Sequence, residues 1–226
     1  MVWPGAAVSA AGWLDWMVLG LAMGMAQGFS ILIAQYFGAN DVARLRRAAG
    51  KSILLSIGIA VLLTAVSEAL LWPTLLLLQS PENTIQLTCD YLRIIFAGVS
   101  FVMAFNLLSG FLRSLGDSRT PLYAMTSAAL CNIALDILFV AVFRWGVFGV
   151  AIATVISQCI SSAICLLALR KMPIMALSRQ DLKANPPMMK RLLGLGVPVA
   201  FQNLIISIGG LALQRVVNGF GFVFMA

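Results

Sequence analysis

Apolar residues fall into six long runs, each broken only by small or singly placed polar residues and bounded by turn-forming or charged ones. A helix that crosses a bilayer needs about 20 mostly apolar residues to cover about 30 Å of hydrocarbon. The runs meet that length: roughly Gly12 to Phe37, Ser52 to Leu78, Tyr91 to Leu115, Pro121 to Phe143, Trp145 to Leu169 and Leu192 to Phe220. The pattern predicts an all-α, polytopic membrane helix bundle of about six transmembrane helices.

The breaks have turn chemistry. Gly38-Ala39-Asn40-Asp41 is a turn followed by four basic residues, and Ser80-Pro81-Glu82-Asn83 is a turn at the opposite end of the second run. Gly116 to Pro121 ends one helix and starts another, with Pro121 at a tolerated first-turn position. Arg144-Trp145-Gly146 makes a very tight hairpin, and residues 170 to 191 form the one long polar connection. Pro198, inside the sixth run, is expected to kink it. Gly20, Gly24 and Gly28, four apart, mark a close helix contact.

Charge sets the orientation. Arg44, Arg46, Arg47, Lys51, Arg113, Arg119, Arg170, Lys171, Arg179, Lys183, Lys190 and Arg191 all fall on one side, twelve of the fifteen basic residues. Arg93, Arg144 and Arg215 fall on or near the other. The basic side is expected to be cytoplasmic, in a plasma (inner) membrane. The first run then goes from outside to inside, which suggests a helix missing at the front. The apolar start has no charged leader segment or cleavage site, so no removable signal peptide is expected.

Composition agrees with lipid as the solvent: 61% of residues are hydrophobic and 10% charged. A large soluble domain has no room. The net charge of +7 forms no patch interleaved with aromatics, so nucleic acid is not an expected partner. There is no histidine, and Cys89, Cys131, Cys159 and Cys165 lack zinc or redox spacing and read as small core residues. No catalytic group and no organic cofactor are expected.

Ionisable groups at membrane depth are costly and mark functional candidates. Asp136 lies about 11 Å in from the outer end of the fourth run, at about 1.5 Å per residue. Asn132, four residues earlier, shares its face. Thr154 lies about 13 Å into the next run, which returns from the same hairpin. A carboxylate, an amide and a hydroxyl suit a proton or a hard cation such as sodium. The same three residues also read as a structural network that merely satisfies Asp136. Glu68 and Asp15 read as interfacial carboxylates. Gln35, Asn106, Gln158 and Gln202 are candidates for lining a substrate cavity, although interhelical bonding explains each singly, as it does Asn203. The eleven methionines suit an adaptable apolar surface or ordinary packing.

Ile33-Ala34-Gln35-Tyr36-Phe37-Gly38-Ala39 and the segment from Gly110 to Pro121 resemble stretches of multidrug and toxic compound extrusion (MATE) transporters. So do Asn132 to Asp136, Gly146 to Thr154, Leu195-Gly196-Val197-Pro198 and Val217-Asn218-Gly219-Phe220-Gly221. The resemblance implies two six-helix lobes that export drugs and small organic cations in exchange for sodium or protons. This chain would hold helices two to seven. Residues 1–170 would be the amino-terminal lobe without its first helix, 171–191 a cytoplasmic inter-lobe loop, and 192–226 the first helix of the carboxy-terminal lobe. It also implies that Asn132, Asp136 and Thr154 form the coupling-ion site, to which the absent first helix would add an aspartate. A fragment of this kind is not expected to complete a transport cycle, since alternating access needs two lobes. The competing readings are a flippase for lipid-linked saccharides, a membrane-embedded enzyme acting through Asp136, and a purely structural subunit. The substrate, the coupling ion and the oligomeric state stay open.

Overall fold

The computed structural model describes the backbone of residues 4–77 and 82–219 and the side chains of residues 16–73 and 89–210. The helices are α1 (Pro4–Gly38), α2 (Val42–Leu77), α3 (Glu82–Ala97), α4 (Val99–Ser114), α5 (Arg119–Asp136), α6 (Gly146–Arg170) and α7 (Pro186–Gly219). A π-helical segment, Ile137–Val142, continues α5, and a single 3₁₀ turn, Pro173–Met175, lies between α6 and α7. With α3 and α4 counted as one path and the π segment joined to α5, six helices are long and apolar enough to cross a membrane. The all-α bundle expected from the sequence is what the chain forms.

The boundaries differ at informative places. α2 begins at Val42, ten residues before its apolar run, because Val42 to Lys51 is amphipathic. Leu45, Ala48 and Ala49 are buried there while Arg44 and Arg47 stay exposed. Asp41 starts this helix by accepting from the Arg44 backbone N–H at 2.9 Å. Asn40, at φ 54°, turns the chain out of α1, a conformation that asparagine tolerates better than most residues. The third run is divided at Gly98. α7 starts at Pro186, six residues before its run, and passes through Pro198 as one helix; α2 likewise passes through Pro73. Ser80 and Pro81 lie outside the described residues, while Glu82 and Asn83, expected in a turn, are already helical.

Helices in lipid gain nothing from hiding apolar surface from one another, so close packing and hydrogen bonds hold them. α1 is the central helix and packs most extensively on α7. A Cβ on Gly24 would lie 2.5 Å from the Cα of Ala200, and one on Gly28 would overlap the backbone of Gly196. Only glycine permits this approach. The Asn203 amide donates to the Gly20 carbonyl at 3.0 Å, and Arg191 at the basic end donates to the Tyr36 hydroxyl at 3.3 Å. Phe29, Leu32, Ile33, Phe111 and Leu112 fill the core between α1 and α4.

The cysteine expectation needs one correction. Cys89 and Cys165 are buried, but Cys131 is half-buried and Cys159 is exposed, because α5 and α6 turn part of their apolar surface outward. The connection from α6 to α7 is also more ordered than its polar composition suggests. Arg46 donates to the carbonyls of Ile174 and Pro173, at 3.0 and 2.8 Å. Lys51, one of the basic residues in the gap before the second apolar run, is 2% exposed and donates from Nζ to the Asp181 carbonyl. Gly50 lets the Asp181 backbone lie directly on α2.

Candidate functional site

The hairpin between the π segment and α6 dictates what can meet inside. Arg144 and Gly146 both take positive φ, 57° and 58°, so the chain reverses within three residues and α5 packs antiparallel along α6. Phe139 and Trp145 stack across this turn, with ring centroids 5.1 Å apart.

A cavity of about 450 Å³ opens between α1, α3, α4, α5 and α6. Its polar lining comes from Asn106 of α4, Asn132 of α5, and Thr154, Ser157, Gln158 and Ser161 of α6. Trp16, Tyr91 and Phe105 supply aromatic surface, and Met23 and Met125 adaptable apolar surface. The hydroxyl hydrogens point into their own helix: Thr154 donates to Val150 at 2.9 Å and Ser157 to Ala153 at 2.7 Å. The Asn106 amide nitrogen donates to Val102 at 2.8 Å. Each of these groups keeps an oxygen lone pair as an acceptor.

Among the described residues five buried side-chain atoms have no hydrogen-bond partner: Ser56 Oγ on α2, Ser109 Oγ on α4, and Asn132 Nδ2, Asp136 Oδ1 and Gln158 Oε1 on α5 and α6. Buried polar groups are almost always paired, so three orphans on two adjacent helices are informative. Asn132, Thr154 and Gln158 share the cavity wall, whereas Asp136 is not part of its lining. Asp136 sits one turn beyond Asn132, as the last residue of α5 before the π segment. Such π segments often accompany functional positions. A carboxylate one turn from an amide, beside a helix that carries hydroxyl and amide oxygens, is donor chemistry that suits a proton or a hard monovalent cation, and no three Cys, Asp or Glu residues come together among the described residues.

Gln35 and Gln202 are exposed and do not line the cavity. Asn203, next to Gln202, is the residue that turns toward α1. Glu68 pairs with Arg93 at 3.6 Å with both side chains partly exposed, in line with an interfacial carboxylate. The side chains of Asp15 and Arg215 and the segment 217–221 fall outside the described side chains. Ser157, Ser161, Trp16 and Tyr91 were missed by sequence reasoning. The serines had a usable signal, since 154, 157, 158 and 161 form one helical stripe.

Comparisons with known proteins agree with this architecture. Residues 6–138 match the MatE family signature. The chain is 31% identical over 224 residues to the probable multidrug resistance protein YoeA of Bacillus subtilis (strain 168), covering 96% of this chain and 48% of that protein. It is 32% identical over 209 residues to the probable multidrug resistance protein YpnP of the same organism, covering 90% and 46%. A crystal structure of MATE in the bent conformation superposes with a TM-score of 0.87 at 26% identity, covering 96% of this chain and 49% of that one. The chain thus spans about half the length of the curated relatives it matches.

Proposed function

This chain belongs to the MatE family, and from that premise we propose that it carries the cation-coupled lobe of an antiporter exporting drugs and other small organic, often cationic compounds. The observation that carries the reading is the unpaired, buried Asp136 Oδ1, one turn from the equally unpaired Asn132 amide on the cavity wall. A charge-bearing group left without a partner in a membrane interior is tolerable when a proton or cation occupies it for part of a cycle. Asn132, Asp136 and Thr154 bind the coupling ion, either Na⁺ or H⁺. The aromatic and methionine surface beside them receives the apolar part of the exported compound.

In mechanism, the ion and the exported compound compete for one lobe. Occupation of Asp136 changes how α5 packs at its π junction, and the helices around the cavity close on its contents. α7 serves as the first helix of the second lobe, residues 171–191 link the lobes on the cytoplasmic side, and the lipid bilayer and small organic cations are the partners. The reading requires no catalytic nucleophile and no organic cofactor.

The test is thermal unfolding of the purified chain in detergent, as sodium is titrated against potassium at fixed pH and then as pH is varied without sodium. The expected result is a rise in midpoint with one of the two ligands, absent in Asp136→Asn. If neither sodium nor pH separates the unaltered chain from Asp136→Asn, the coupling role is wrong.

A further inference from the structure

A second cavity, of about 310 Å³, lies at the basic end of the bundle, away from the candidate ion site. Ile53 of α2, Phe111 of α4 and Leu169 of α6 form its floor, and Met175 and Leu177 of the α6–α7 connection form its cover. The cover is set in place independently of anything inside, because Arg46 grips the carbonyls of Pro173 and Ile174. Leu166 and Ala176 belong to the lining and are exposed, so one side is open; Leu167 beside it is 57% exposed on the outer face of α6.

The lining contains a single charged residue, Arg170, the last residue of α6. Its guanidinium has no hydrogen bond or ion pair among the described residues, and Lys171 follows it, also exposed. The carboxylates at this end cannot neutralise it cheaply. Asp41 accepts from Arg44, Asp117 from Arg119 and Thr120, and Asp181 from Ser178, each within its own turn. An apolar slot therefore opens beside an unpaired cation at the depth where helices leave the bilayer. Basic pockets between helices at that level suit anionic headgroups with their chains buried.

We propose that this cavity binds an anionic phospholipid of the adjoining leaflet, with an acyl chain between Phe111, Leu169 and Leu177 and the phosphate at Arg170. A water-soluble anion would leave the apolar walls unfilled, and a zwitterionic lipid would bring a positive group to Arg170. The lipid touches α2, α4, α6 and the inter-helix connection together, so its occupancy tightens the tie between the connection and the bundle.

The experiment is native mass spectrometry of the full 226-residue chain released from micelles holding equal phosphatidylglycerol and phosphatidylcholine. One phosphatidylglycerol is expected to be retained, several-fold over phosphatidylcholine. Ala176→Trp fills the slot and should abolish retention, Arg170→Gln should bring the two lipids to parity, and Lys183→Gln, a cation outside the lining, should change nothing. Equal retention of both lipids by the unaltered chain overturns the proposal, as does undiminished retention in Ala176→Trp. Should Ala176→Trp fail to fold, the exposed Arg170→Gln decides: an unchanged lipid preference there also overturns it.

Discussion

Gly24 of α1 and Ala200 of α7 touch backbone to backbone, so closely that a single added methyl would lie 2.5 Å from the Ala200 Cα. Real Cβ atoms do not approach that near, and backbone, unlike a flexible side chain, cannot step aside. Gly24→Ala is therefore expected to destabilise by about 1–3 kcal/mol, the usual cost of overpacking. Gly58, where a Cβ would meet nothing within 4 Å, is the control. Gly58→Ala should be neutral or stabilising by up to about 1 kcal/mol, since alanine is the better helix former. Thermal unfolding in detergent of the two variants checks both signs.

Asp136→Asn should leave the fold intact and raise stability slightly when no coupling ion is bound. It replaces a buried, unpaired carboxylate oxygen with a neutral amide of the same shape. The cation response should vanish in the same variant. A variant that is both less stable and still responsive would show Asp136 to be a structural partner instead.

Lys51→Met is expected to free the connection between α6 and α7. The substitution keeps the buried apolar stem but removes the donor to the Asp181 carbonyl, and an acceptor left unpaired at a buried position costs about 1–3 kcal/mol. Hydrogen exchange should quicken over residues 173–185 and stay unchanged in α4. Equal protection in both proteins would mean that Arg46 alone secures the segment.

Two carboxylates predict how the basic end responds to acid. Hydrogen bonds from the Thr120 hydroxyl and backbone hold Asp117 below the ordinary carboxylate range, and those from the Ser178 backbone and hydroxyl do the same for Asp181. A carboxyl whose pKa is lower folded than unfolded binds fewer protons when folded. Its contribution is complete above the unfolded value of about 3.9 and disappears as pH falls through the folded one. Protection of residues 117–120 and 178–181 should therefore persist to about pH 4 and fall below it, and Asp117→Asn should flatten the response of the first segment alone.

The six spans were legible because hydropathy is a property of each residue added along a run, and no tertiary detail alters it. What the sequence hid depended on neighbours. The stretch from Val42 to Lys51 looks like a charged loop until Leu45, Ala48 and Ala49 find α2's partners. Nothing in Ile137 to Val142 distinguishes a π segment from an α-helix. Asn132, Asp136 and Thr154 were read as one polar level, since one tight hairpin fixes the depth of both helices; Asn132 and Thr154 do share the cavity wall, joined there by Gln158, while Asp136 lies outside its lining. Gln202 was not legible, because a difference of one residue, about 100° of helix rotation, decides whether it or Asn203 turns toward α1. Arg46 and Lys51 read as orientation markers, and their second role, bonding loop carbonyls, needs the fold.

The tie between Lys51 and Asp181 has a mechanical side. Beyond it only residues 182–185 remain before α7 begins at Pro186. Four residues drawn fully straight reach at most about 14 Å. The basic end of α7 is thus on a short leash anchored to α2, and any swing wider than that tether allows must first unfasten Asp181 from the buried lysine.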